Sequence, residues 1–144
     1  MSNQSKIGNL EKILHAGFFL TILIVTPYSV TDPINLPKMV VLVLLGFTCL
    51  GFLLNRKLQL QLKNMKFLFL FSGLFVAQLS AVLIFSGRTF ISGFYGINGR
   101  YTGFLTYLSL LFVCIAFALV SNERFITQFR ITFLVIGCVL LLYG

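Results

Sequence analysis

The sequence predicts an all-α, polytopic helical membrane protein, and three observations carry that reading. Of its 144 residues, 58% are hydrophobic and only 10% charged, with a mean hydropathy of +1.01. A soluble domain cannot bury so large an apolar share. The apolar residues come in long runs broken by short polar segments, and the charges sit at the ends of the runs rather than inside them. A net charge of +8 would suggest nucleic acid as partner for a soluble chain. Placed at the ends of apolar runs, it points to membrane lipids instead, with no role for nucleic acid. Cys49, Cys114 and Cys138 all fall within apolar runs and have neither disulfide nor metal-ligand spacing.

Residues 1–12 read as a polar, basic tail. The first span follows over 13–30, and no small-residue cleavage site comes after it, so it reads as retained rather than as a signal peptide. His15, near its start, is a lone histidine at headgroup depth, incidental rather than a ligand. Pro27 kinks or ends this helix. In the loop that follows, Asp32 before Pro33 marks a turn, and Pro37 suits the first position of the next helix. The second span covers 39–54, with Gly46 and Gly51 as points of close helix approach. An interfacial connector carrying Arg56, Lys57, Lys63 and Lys66 leads to the third span, 67–85. There Gly73, Ala77 and Ala81 recur every four residues, a small face expected to pack on the second or fourth span. Gln78 needs a hydrogen-bonding partner at that depth. The fourth span covers 101–120, the next connector 121–130. The last apolar run, 131–144, would extend about 21 Å as a helix, short of a hydrocarbon core of about 30 Å. Residues 1–144 thus read as one helical region of four complete spans and a truncated fifth, the front part of a longer protein or a truncated one.

The most distinctive stretch is 85–103. It holds Gly87, Gly93, Gly96, Gly99 and Gly103, with Arg88, Arg100 and several aromatics between them. That glycine density predicts loop rather than helix. A guanidinium beside exposed backbone N–H groups suits phosphate or another anion. The competing reading is a surface turn whose arginines and tyrosines anchor at the membrane interface.

Basic residues set the orientation. Lys6, Lys12, Arg56, Lys57, Lys63, Lys66, Arg124 and Arg130 lie in the tail and in two connectors, and only Lys38, Arg88 and Arg100 of the 11 Lys and Arg lie in the other two loops. The positive-inside rule places the amino terminus in the cytoplasm and both Gly/Pro-marked loops outside. With only three acidic residues in the chain, a paired-carboxylate centre is nearly excluded. Neither a metal site nor a nucleotide loop has its required pattern, so no cofactor and no catalytic residue is assigned within these residues.

Two segments then resemble a known family. Asp32-Pro-Ile-Asn-Leu-Pro-Lys38, opening a Leu/Val-rich span, is similar to the first outer loop of the O-antigen ligase and polymerase family. Phe94-Tyr-Gly-Ile-Asn-Gly-Arg-Tyr-Thr-Gly-Phe-Leu-Thr-Tyr-Leu108 resembles that family's Gly-Arg-aromatic segment entering the fourth span. The resemblance covers roughly 13–120. It implies the amino-terminal bundle of a GT-C-like glycosyltransferase in a bacterial inner membrane. It also implies a role in lipopolysaccharide and polysaccharide assembly, with an undecaprenyl-pyrophosphate-linked glycan as substrate and the parent protein's remaining helices as partners. On that footing Arg100, with Arg88 and Lys38, holds the pyrophosphate, while Asp32, Gly96, Gly99 and Gly103 order the loops. The outer loop bearing the family's key arginine and histidine has no counterpart here, so the chain lacks the catalytic part of such an enzyme. Two further readings stand beside this one: a transporter or flippase segment lined by the broken stretch at 93–103, and a small non-catalytic structural membrane protein.

Overall fold

The computed structural model describes residues 3–24, 34–54, 65–97, 100–120 and 123–143. Among these the chain is entirely helical: α1 (Asn3–Leu23), α2 (Asn35–Leu53), α3 (Lys66–Phe85), α4 (Phe90–Tyr95), α5 (Phe104–Val120) and α6 (Glu123–Tyr143). Two of them, α2 and α3, are long and apolar enough to cross a membrane. The apolar α5 has 17 residues, about 26 Å of helix. Among the described residues, two of the four complete spans expected from the sequence are thus met on length and composition. The later part of the first expected span, including Pro27, lies outside the described residues, as do Asp32, Gly99 and nearly all of the 55–66 connector.

The core forms where α1, α2, α5 and α6 meet. Leu10 and Leu14 of α1, Leu45 and Cys49 of α2, Val113, Ala116 and Val120 of α5, and Phe125 of α6 are buried together. The α1, α2 and α5 sets each recur at three- or four-residue spacing, which puts each on one helix face. α2 packs most extensively on α5 and then on α1, and small residues set both approaches. A Cβ on Gly46 would stand 2.7 Å from the Ser109 Cα, and one on Gly17 would stand 2.8 Å from the Leu45 Cδ2. The buried Ser109 hydroxyl donates to the Leu105 carbonyl at 2.8 Å, so it brings no unsatisfied polar group into the contact. Gly51, by contrast, is exposed and meets nothing.

Four boundaries differ from the sequence reading. α1 begins at Asn3, so the expected tail is helix. Residues 3–23 contain no proline and only two glycines, Gly8 and Gly17, among good helix formers. Their polarity sets depth in a membrane, not backbone conformation. For the same reason α6 takes in the connector from Glu123 onward. Pro37 sits in the third position of α2 rather than the first, still within the turn whose N–H groups have no intrahelical acceptor. α5 starts at Phe104, three residues later than expected, because Tyr101 takes a left-handed φ of 45° and cannot continue a helix.

α3 matches its expected limits but not its expected packing. It leans on α5 and α4 and has no buried residue. Its half-buried positions are Leu68, Ser72, Val76, Leu79, Ser80 and Leu83, whereas Gly73, Ala77, Gln78 and Ala81 are all exposed. Two four-residue rows run side by side on a helix about 100° apart, and the bulkier row makes the contact because it offers more apolar surface. The outer face carries Phe67, Leu70, Phe71, Ile84 and Phe85 into the surroundings.

Candidate functional site

The glycine-rich stretch folds into a short helix between two turns rather than a plain loop. Thr89 enters α4 from an extended conformation (φ −60°, ψ 142°). Its hydroxyl donates to the Ser92 hydroxyl at 2.9 Å, which in turn donates to the Thr89 carbonyl at 3.0 Å. These bonds draw one turn of helix out of a segment whose glycine content argues against it. Gly96 closes α4 at φ 94°, and its N–H donates to the Ser92 carbonyl at 3.0 Å. That φ suits glycine for conformational reasons, and space forbids anything larger: a Cβ there would stand 2.6 Å from the Thr102 N.

Rings then tie α4 to the start of α5. Phe90 stacks on Phe94 with centroids 5.6 Å apart, and Phe94 on Phe104 at 5.8 Å. The two backbones touch where Gly103 lies against the Phe94 carbonyl and the Gly96 N, leaving no room for a Cβ. The Thr106 hydroxyl donates to the Tyr101 carbonyl at 2.7 Å and so holds the left-handed residue. A non-glycine residue in that region costs of order 1–3 kcal/mol.

This construction leaves a cleft of about 300 Å³ between the end of α3, α4 and the start of α5. Ser86, Arg88, Ser92, Thr102 and Tyr107 contribute polar groups, and Leu79, Val82, Leu83 and Phe104 an apolar floor. Among the described residues no acidic residue lines it, so the exposed Arg88 guanidinium has no acidic counterpart there. Thr102, Gly103 and Phe104 bring the positive end of the α5 dipole to the same wall. The arrangement offers a fork of guanidinium donors, several hydroxyls and a helix terminus, all suited to an anion.

Of the residues singled out by the sequence, Arg88 and Gly103 line the cleft, and Gly96 supports it from behind. Arg100 does not line it. It is exposed, within a turn in which its N–H donates to the Ile97 carbonyl at 3.0 Å. Lys38 lies half-buried in the first turn of α2 and is also absent from the lining. Four residues that sequence reasoning did not single out, Ser86, Ser92, Thr102 and Tyr107, supply the hydroxyls. The signal available for them was their spacing around the glycines: Ser92 and Thr102 each directly precede one. No family model, curated protein or solved structure matches the chain. Its function is therefore read from its own residues. Among the described residues no group of three His, Cys, Asp or Glu could hold a metal ion.

Proposed function

We propose that the chain is a multi-pass membrane bundle that holds the anionic headgroup of a polyprenyl-linked glycan, the amino-terminal part of an O-antigen ligase- or polymerase-like protein of a bacterial inner membrane. The observation that carries this reading is the amphipathic cleft. Its mouth has an arginine with no acidic partner among the described residues, hydroxyls and a helix N-terminus, and its floor of leucine, valine and phenylalanine runs into the exposed apolar surface of α3. A lipid pyrophosphate needs that combination, a dianionic group held at the polar boundary of an apolar chain. The similarity of segments 32–38 and 94–108 to that family adds the glycan. In this reading Arg88 carries more of the headgroup contact than Arg100 or Lys38, reversing the order suggested by the glycines around Arg100. The bundle supplies binding and positioning, and glycosyl transfer belongs to the parent protein.

The test is binding of undecaprenyl pyrophosphate, against undecaprenol as the uncharged control, to the chain in phosphatidylcholine nanodiscs. Arg88→Ala is expected to weaken pyrophosphate binding by about tenfold or more, the equivalent of one charge-assisted hydrogen-bonded contact. Arg88→Lys restores it only in part, since an ammonium lacks the planar fork, and Arg100→Ala has the smaller effect. Equal affinity of wild type for the charged and uncharged lipids would refute the proposal.

A further inference from the structure

A second cavity, of about 530 Å³, opens between α1 and α6. It lies toward the other end of α5, because Phe117 of α5 packs against Phe125 and Phe129 of α6, which in turn pack on His15. Its α1 wall is Gly8, Glu11, Lys12, His15 and Ala16, and its α6 wall Arg124 and Gln128. The α1 residues recur at three- and four-residue spacing, so they form one polar face of the helix. Arg124 and Gln128 are one turn apart. Two polar faces on different helices therefore border one groove, with Lys12, Arg124 and Gln128 exposed at its rim.

The charges do not balance. Lys12 and Arg124 line the cavity from opposite walls, and among the described residues Glu11 is the one acid in the lining. His15 adds an unmet demand. Its Nδ1 lies 3.0 Å from the Glu11 carbonyl, which only accepts, so Nδ1 carries the proton. Its Nε2 is buried with no partner among the described residues. Edge-on contacts with Phe125 and Phe129, at 4.9 and 5.8 Å, fix the ring in place. Cations from two helices and an amide donor at Gln128 make a receptacle for a compact anion with several acceptor oxygens, while Nε2 of His15, the unprotonated nitrogen, can accept from a hydroxyl on the same ligand.

We propose that this cavity is a binding site for a phosphate group, separate from the Arg88 cleft and independent of its substrate. The phosphate could belong to a phospholipid headgroup or to a soluble phosphate, and one set of experiments separates the two. For the lipid, the chain is placed in phosphatidylcholine nanodiscs containing a small fraction of phosphatidylglycerol, and lipid retention is read by native mass spectrometry. For the soluble ion, the thermal midpoint is followed during inorganic phosphate titration in nanodiscs of phosphatidylcholine alone. Lys12→Gln and Arg124→Gln are each expected to weaken the responding arm by about fivefold. Arg130→Gln, an exposed arginine on α6 outside the lining, leaves it unchanged. Ala16→Phe keeps every charge but fills the cavity, and it abolishes the response. Retention of phosphatidylglycerol alone assigns the lipid, and a phosphate-dependent midpoint alone assigns the soluble ion. The proposal is overturned if wild type responds in neither arm, if Arg130→Gln weakens binding as much as Arg124→Gln, or if Ala16→Phe binds like wild type.

Discussion

At the scale of single residues, two glycines of one helix make opposite demands. Gly46 faces the Ser109 backbone at 2.7 Å, whereas Gly51 faces open space. Gly46→Ala should lower stability by about 1–3 kcal/mol, because the contact it strains is backbone and cannot rotate away. Gly51→Ala should raise stability by about 0.5–1 kcal/mol through the entropy that glycine loses in a helix. Thermal midpoints of the two variants in one detergent check the pair, and equal shifts would refute it. The sequence made both glycines visible as points of close approach, but helix phase decides between them, and phase is fixed only once α5 is docked. The arginines pose the same difficulty. Arg88 and Arg100 look alike in a glycine-rich string, and only the turn of helix at α4 faces one into the cleft and leaves the other out. His15 was legible as a lone histidine, but the company it keeps with Phe125 and Phe129 joins residues more than a hundred positions apart.

At the scale of elements, α3 shows that a repeat of small residues is not yet an interface. Its Gly73, Ala77 and Ala81 row is exposed, and the neighbouring row of Leu68, Ser72, Val76 and Leu79 makes the contact with its neighbours. Ala77→Leu should accordingly change the thermal midpoint of this chain little, within about 0.5 kcal/mol. A loss of more than about 1 kcal/mol would mean that the row is covered in the folded chain. Helix positions were legible because apolar runs and glycine- or proline-bearing breaks alternate clearly. The ends of α1 and α6 were not, because Lys12, Glu123 and Arg124 mark where apolar depth ends while helix continues through them. The turn at α4 was masked for a different reason: the hydroxyl pair Thr89 and Ser92 and the ring stack outweigh the local cost of Gly93.

At the scale of the molecule, alternation of the helices gathers Lys12 and Arg124 at one end and the Arg88 cleft at the other. With the orientation we propose, Ser92→Cys in a chain carrying Cys49→Ala, Cys114→Ala and Cys138→Ala reacts with an impermeant maleimide from outside. Gly8→Cys in the same background reacts only after the inner face is opened. The opposite pattern would invert the topology. The three walls of the cleft also differ in how firmly they are held. α4 and α5 are bound by stacked rings and by backbone contact at Gly96 and Gly103, while α3 contributes nothing to the buried core and touches α4 through the Leu83 side chain at Gly93. Mechanically, the cleft has two stiff jaws and one compliant one. A bulkier headgroup would be accommodated by α3 leaning outward, with the hydroxyl-bearing wall unmoved, so tolerance to ligand size resides in the helix that contributes least to stability.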